Sequence, residues 1–204
     1  MLLAIDTSAG SSVAVVDGEA GVLAERAVAD TRSHAEAIGR LIREALEVAG
    51  VSAGRLDAVA AGMGPGPFTG LRVGIAAARA FALGIGRPVL PIVSHDAVAL
   101  GESGPLLVVT DARRRELYWS RYRGPDAEGL PVRVEGPALS RPEELPEGVR
   151  RLDAPTVSAA RLGLLAEALS AHGRPPAADE PLYLRSPDVT LSAATKRLAT
   201  GLAG

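Results

Sequence analysis

The chain has 204 residues, 47% of them hydrophobic but only 3% aromatic, so its core must be built from Ala, Val, Leu and Ile in one large domain or two small lobes. A net charge of −2 and a pI near 6.0 give no global basic field for nucleic acid. The absence of cysteine excludes disulfides, zinc–thiolate sites and thiol nucleophiles.

The N-terminus runs from Leu2 to Asp6 with no basic stretch before it, too short for a signal-peptide core. No uncharged apolar run reaches the ~18 residues of a membrane span, so a cytoplasmic protein without membrane contact is expected. Leu2 to Asp6 reads as a buried strand, Ser12 to Val16 as a second strand before the turn Asp17-Gly18, and Val22 to Ala29 as the third strand of a meander. From Thr31 to Gly50 the period changes: Ile38, Leu41, Ile42, Ala45 and Ala49 recur at helical spacing, Ser33 and Glu36 form a candidate capping box, and Gly50 is the stop. Leu56 to Gly62 is the next strand. It leads through Gly64-Pro65-Gly66-Pro67 into a helix over Thr69 to Gly86 that carries Gly70, Gly74 and Ala78 at four-residue spacing. Each helical glycine costs ~1 kcal/mol, so these small residues point to the close approach of another backbone. Pro88 to Val93 is a further strand.

The second half starts over, about 105 residues later. Leu106 to Asp111 is apolar and ends in Asp, as Leu2 to Asp6 does. Glu116 to Tyr122 has strong β character, Val132 to Ala138 is its candidate partner, and Leu162, Leu165, Ala166 and Leu169 mark a helix ending before Gly173. Pro125 to Pro155 reads as loop with short elements, and Leu191 to Gly204 as a frayed tail. Two related α/β lobes follow from this weak duplication.

Few constellations carry chemistry. A strand, a glycine loop and a helix N-terminus can hold a phosphate, but the lysine of GxxxxGK[ST] loops is absent, the only lysine being Lys196. The loop can equally fix the entry angle of a tightly packed helix. Asp6-Thr7-Ser8 could hold a metal-bound water or a nucleotide phosphate, or could cap a tight turn. Asp111, followed by Arg113-Arg114-Arg115, could face Asp6 across a cleft, or could belong to a solvated hairpin. His34, His95 and His172 form no HxxxH or HExxH pair and read as a helix first-turn residue and two surface residues, which leaves a metalloprotease without support. No GxSxG elbow occurs.

Taken together, Leu2 to Gly18, RSHAEAI at Arg32 to Ile38, GMGPGPFTGLRVGIAAARAFALG at Gly62 to Gly84, TDARRRELYWSRY at Thr110 to Tyr122 and PLYLRSPDV at Pro181 to Val189 resemble the TsaB (YeaZ) family, in the family's order. The resemblance implies an α/β, actin-like (ASKHA) fold of two ribonuclease-H-like lobes. Residues 1–100 would form the N-terminal lobe with its partner-binding helices, 101–190 a smaller, trimmed C-terminal lobe, and 191–204 a flexible tail. It implies a non-catalytic scaffold of TsaD, which transfers a threonylcarbamoyl group to the tRNA adenosine beside the anticodon, with a TsaE-like ATPase and tRNA joining through the complex. It implies no cofactor of the chain's own, with ATP or ADP at the complex interface, and a homodimer when TsaD is missing. The family's contact helices map onto Ile38, Leu41, Ile42, Ala45, Gly70, Gly74, Ile75 and Ala78, while Asp6, Thr7 and Asp111 are the candidate nucleotide or phosphate contacts. The alternative is an independent actin-like ATPase or small-molecule kinase. Two departures stand out: Pro67 occupies a position where the family commonly has Ser, and the stretch from Glu143 to Thr156 is short.

Overall fold

The computed structural model describes residues 1–29 and 34–185; the cap assigned to Ser33 and the tail from Leu191 lie outside the described residues. The antiparallel meander β1 (Leu2–Asp6), β2 (Ser11–Asp17) and β3 (Gly21–Val28) is extended by β4 (Ala58–Gly62) and β5 (Val89–Ile92), both parallel to their neighbours, into a sheet of order β3-β2-β1-β4-β5. Its central strands β1, β2 and β4 are buried at nearly every position because both faces are covered, and they read as apolar runs flanked by Asp6, Ser11, Ser12 and Asp17, the pattern expected of a doubly buried sheet. Leu3, Ile5, Val13 and Val15 pack under α1 (His34–Ala49) and α2 (Phe68–Ile85). Their neighbours Leu2, Ala4, Ala14 and Val16 pack on the opposite side, against α4 (Ala159–Ala171).

The second sheet contains β6 (Leu106–Asp111), β7 (Leu117–Pro125), β8 (Pro131–Ser140) and β9 (Arg150–Asp153), in the order β8-β7-β6-β9 with β9 parallel to β6. This repeats β3-β2-β1-β4 strand for strand, so the duplication legible in the sequence is structural. It is also the trimmed copy: where α1 separates β3 from β4, a 3-10 turn at Pro142–Glu144 separates β8 from β9. On the outer face of the second sheet, among the described residues, Leu145 and Val149 pack with Leu117 and Ala138 against Leu107, Val109 and Trp119. Strand β9 and the short α3 (Ser94–Ala99) are absent from the sequence reading: β9 has four residues, two of them arginine, and α3 spans less than two turns.

Helix α4 departs from a division near residue 100. In sequence it belongs to the second half, yet its apolar side lies on the first sheet, and one continuous core joins Leu2, Ala4 and Val16 to Leu106, Val108, Leu162 and Leu165. Its N-terminus is clamped by the first lobe. Ala160 N–H donates to Glu25 Oε1 at 3.1 Å and Ala159 N–H to Ser12 Oγ at 3.0 Å; the Ser12 and Ser158 hydroxyls donate to the same Glu25 oxygen at 3.0 and 2.8 Å. A carboxylate at a helix N-terminus satisfies donors that the helix leaves unpaired and complements its dipole. Glu25→Ala is expected to cost about 1–3 kcal/mol in urea unfolding, since it strands two hydroxyls and an amide; a loss below ~0.5 kcal/mol would contradict the clamp.

A second polar knot ties α3 to the second sheet. The reading of His95 as a surface residue is corrected: its side chain is fully buried, with Nδ1 2.9 Å from Ser120 Oγ and Nε2 2.9 Å from Thr110 Oγ1. Beside it Asp96 accepts from the Tyr122 hydroxyl at 2.7 Å and pairs with Arg133 at 3.2 Å. Burial, reinforced by the Arg133 charge, lowers the His95 imidazole from 6.5 to about 3. The unfolded chain therefore takes up a proton near pH 6.5 that the native state refuses until about pH 3. Stability contributed by this group is complete above pH 6.5 and falls as the pH drops, by up to ~1.4 kcal/mol per pH unit. His95→Gln, whose amide can still bridge two hydroxyls, is expected to flatten stability measured by urea titration between about pH 6 and 4.5. An unchanged slope would contradict a neutral buried imidazole.

Candidate functional site

Three structural features meet around the glycine loop. The first is the end of β1. Asp6 is buried, and both its oxygens are engaged: Oδ1 accepts from Ser8 N–H at 2.8 Å and from Ser8 Oγ at 2.6 Å, and Oδ2 accepts from Ser94 Oγ at 2.6 Å. Ser94 Oγ in turn accepts from Gly64 N–H at 3.0 Å. A Cβ on Gly62 would lie 1.9 Å from Asp6 Oδ2, so β4 closes over the carboxylate. Burial pushes the Asp6 carboxyl above its usual range, opposed by the Ser8 and Ser94 hydrogen bonds. Asp6 thus caps a turn and joins β1 to the loop and to α3. This is one of the two readings left open by the residues.

Thr7 explains the helical glycines. Its hydroxyl donates to Gly70 C=O at 2.7 Å and accepts from Gly74 N–H at 3.1 Å, so it bridges successive turns of α2. A Cβ on Gly74 would lie 2.1 Å from Thr7 Oγ1, and one on Gly70 2.7 Å from Thr7 O. The close approach read from the four-residue spacing therefore occurs within the chain. Asp111 repeats the turn of Asp6 in the second sheet, accepting from Arg113 N–H at 3.0 Å, but it is exposed. Among the described residues no group of three or more His, Asp or Glu converges on a metal site.

The second feature is α2 itself, which is long and apolar enough to cross a membrane by composition, although only a third of it is buried. Its inner face packs on the sheet through Leu71, Ile75, Ala78 and Ala82. Most residues expected at a partner surface lie on this packed side. Ile38, Leu41, Ala45, Gly70, Gly74, Ile75 and Ala78 are all buried in the chain's own core, and only Ile42 is half-exposed, so they have almost no area left to offer a partner. The outer face instead presents Thr69, Arg72, Ala76, Arg79, Ala80, Gly84 and Leu83, the last 84% exposed, with Val73 and Ala77 half-buried beside them. The exposed positions of α1 are mixed: Ala35, Gly39 and Val48 stand among Glu36, Arg40, Arg43 and Glu47. A helix with only Arg72 and Arg79 to mark its outer side gives little periodic signal to separate core from outer face, which is why the sequence could not divide the two sets.

The third feature is a strap. Residues 175–185 return from α4 along α2: Ala177 N–H donates to Pro91 C=O at 2.9 Å, Asp179 pairs with Arg79 at 2.7 Å, and Leu182 N–H donates to Met63 C=O at 2.8 Å. Tyr183 then stacks on Phe68 with ring centroids 4.7 Å apart. The Arg72 guanidinium lies 3.8 Å over the Phe68 ring, and Arg185 pairs with Glu116. Phe68, Arg72, Glu116, Tyr183 and Arg185 come from three sequence motifs far apart in the chain. The motifs are legible, but their convergence is not, because the strap that joins them has no periodicity. Between β6 and β7, Arg113, Arg114 and Arg115 have φ of 62°, 53° and 63°, a left-handed turn that costs roughly 1–2 kcal/mol per non-glycine residue.

Gly74→Ala is expected to destabilise the chain by about 1–3 kcal/mol despite its better helix propensity, because the new methyl displaces the Thr7 hydroxyl. Combined with Thr7→Ala it should cost less than the sum of the single changes, by ~0.5–3 kcal/mol in a double-mutant cycle. Strict additivity would contradict the bridge.

Residues 11–145 match the family model for TsaD, tRNA N6-adenosine threonylcarbamoyltransferase. Uncharacterized mycobacterial proteins are similar in sequence. One from Mycobacterium tuberculosis is 40% identical over 203 residues, with 92% of each chain covered. One from Mycobacterium leprae is 43% identical over 152 residues, 72% of this chain but only 41% of that protein. The tRNA threonylcarbamoyladenosine biosynthesis protein TsaB of Escherichia coli is 31% identical over 156 residues, 74% of this chain and 67% of TsaB. The structure of YeaZ from Pseudomonas aeruginosa superposes with a TM-score of 0.74 at 28% identity, covering 90% of this chain and 99% of YeaZ. Another Pseudomonas aeruginosa structure, with a TM-score of 0.76, is described as having similarity to peptidase YeaZ. In this chain the three histidines lie apart: His34 bonds to Ser11, His95 to Ser120 and Thr110, and His172 ends α4. The motifs, the duplicated sheet order and these relatives agree: the chain belongs to the TsaB (YeaZ) family and has its actin-like α/β fold.

Proposed function

We propose that this chain serves the synthesis of threonylcarbamoyladenosine in cytoplasmic tRNA as a non-catalytic partner of a TsaD-like transferase subunit. The observation that carries this reading is the outer face of α2, an uncharged stretch from Val73 to Gly84, interrupted only by Arg79 at the strap, on a helix whose inner face is already packed. Small residues at Ala76, Ala77 and Ala80 let a partner helix approach closely, and Leu83 supplies apolar area at ~25 cal/mol per Å² buried. The transferase family model matches this chain over residues 11–145, from β2 through β8, so the partner would bring a lobe of the same fold, and like faces can pair about a pseudo-twofold axis. The same face would pair two copies when the transferase is absent. A TsaE-like ATPase and tRNA then join through the complex.

The chain is proposed to hold no cofactor of its own, any ATP or ADP entering at the complex interface. The sealed carboxylate of Asp6 and the exposed, turn-capping Asp111 support this over an independent ATPase or kinase. The same features, with the dispersed histidines, support a non-catalytic role over a peptidase. α2 is proposed to face a protein partner and not a membrane, since its inner half is laid on the sheet.

The test is tRNA modification in a mixture of TsaC-, TsaD- and TsaE-like proteins with ATP, threonine and bicarbonate, with and without this chain. Modification is expected to require the chain, while the chain alone turns over no nucleotide. Modification that proceeds equally without it, together with nucleotide turnover by the chain, would overturn the proposal. Leu83→Glu combined with Ala80→Glu is expected to leave stability within about ±0.5 kcal/mol, as for exposed sites, while weakening transferase binding at least ~10-fold, or ~1.4 kcal/mol. Unaltered binding by a folded variant would exclude this face as the docking surface.

A further inference from the structure

We propose that the cavity between β8 and the C-terminal end of α4 binds a small organic amine, whose ammonium group is received by Asp96; this goes beyond the reading above and does not depend on it. The cavity has a volume of about 540 Å³ and is lined from α3, the β7–β8 connection, β8, α4 and the residues that follow α4. Small-molecule sites span roughly 300–1,000 Å³ and are mostly apolar, with a few placed polar groups. Leu130, Pro131, Leu169 and Pro175 give this one its apolar walls, and no residue of α2 lines it.

The charges on the wall select a cation. Both guanidinium groups are already paired with carboxylates: Arg174 with Asp126 at 2.8 Å and with Glu128, and Arg133 with Asp96 Oδ1 at 3.2 Å. An anionic ligand would have to displace these partners, and three carboxylates, Asp96, Asp126 and Glu135, line the cavity against two guanidinium groups. Asp126 accepts from the Glu128 and Leu130 N–H groups as well as from Arg174, and Glu135 pairs with Arg121 and is 47% exposed. Asp96 is different. Its side chain is only 22% exposed, its Oδ1 takes both the Tyr122 hydroxyl at 2.7 Å and the Arg133 contact, and among the described residues no hydrogen bond reaches Oδ2. Burial pushes the Asp96 carboxyl above its usual range, opposed by Arg133 and by the Tyr122 hydrogen bond. The pairing it has therefore leaves its charge incompletely compensated.

A bulged strand fixes Arg133. From Trp119↔Ala138 to Tyr122↔Arg133 the ladder advances three residues on β7 and five on β8, so two extra residues bulge out of β8 along the cavity. Bulges re-aim side chains and are over-represented beside functional sites. Arg133 Nη1 here donates to Gly136 C=O at 3.2 Å, within the bulged stretch, while Nε meets Asp96 Oδ1. With Arg133 held on Oδ1, Oδ2 is the acceptor left for an ammonium group, and a charge-assisted N–H···O bond is of the strong kind. The hydrocarbon body of the amine then lies against the apolar walls.

The test is amide chemical-shift mapping of the isotope-labelled full chain titrated with phenethylamine, and with hydrocinnamate as a probe of similar size and opposite charge. Phenethylamine is expected to shift the amides of Asp96, Leu130 and Arg133 saturably, and hydrocinnamate to leave them unmoved. Asp96→Asn, which keeps an acceptor for the Tyr122 hydroxyl, is expected to weaken phenethylamine binding at least ~10-fold, the worth of a hydrogen bond to a charged group. No saturable shift at these residues in the parent chain would overturn the proposal, whether or not Asp96→Asn folds. So would equal shifts with hydrocinnamate, which would make the cavity an apolar groove without charge selection, or undiminished affinity in a folded Asp96→Asn chain. Because the titration needs neither the transferase subunit nor tRNA, it can fail while the reconstitution succeeds, and the reverse.

Discussion

Much of this structure depends on one hydroxyl. Thr7 leaves the end of β1 and bridges Gly70 C=O and Gly74 N–H of α2, which fixes both the height of the helix above the sheet and its rotation about its own axis. The two glycines cost helix propensity and gain that contact. With the rotation fixed, Leu71, Ile75, Ala78 and Ala82 must face the sheet, and Ala76, Ala80 and Leu83 must face outward. The helix therefore carries apolar residues on both sides for two different reasons, one a core and the other an uncovered surface that Arg72 and Arg79 interrupt.

The neighbouring Asp6 is tied into the same junction. The carboxylate sits at the end of the first strand, next to a glycine loop and a helix N-terminus, where a cation or phosphate could be held in an open site. Here Ser8, Ser94 and Gly62 enclose it, and it has become a fastener between β1, the loop and α3. The second lobe reinforces this. With α4 clamped to the first sheet through Glu25 and Ser12, the two sheets share a core, and moving α4 off the first sheet would break the three hydrogen bonds from Ser158, Ala159 and Ala160 at once. A partner surface on a rigid body follows more naturally from this arrangement than a cleft that opens and closes.

The strands were legible in proportion to their burial and length. β1 and β6 are continuous apolar runs ending in Asp, and their bounds match the structure residue for residue. β9 was not legible, because in Arg150-Arg151-Leu152-Asp153 only Leu152 packs on the core while the three charged side chains are exposed. α1 shows its buried face clearly, since charges mark the other side, whereas α2 carries only Arg72 and Arg79 as markers. The glycine spacing was a true signal of close approach, but the approaching group lies more than sixty residues earlier, at Thr7. His95 gives no local sign of burial, because its partners Thr110 and Ser120 arrive from another sheet. The same limit hid the meeting of Phe68, Arg72, Glu116, Tyr183 and Arg185, which only the strap brings about.

The central claim is that the outer face of α2 is where this chain meets its transferase partner. Its absence of cysteine permits a direct measurement. Single substitutions Leu83→Cys on α2 and Val134→Cys on β8, both at exposed positions, are labelled with a maleimide in the presence and absence of the TsaD-like subunit. The account predicts that the subunit slows labelling at position 83 by an order of magnitude or more and leaves position 134 unchanged. Equal labelling of position 83 with and without a subunit that demonstrably binds would contradict it.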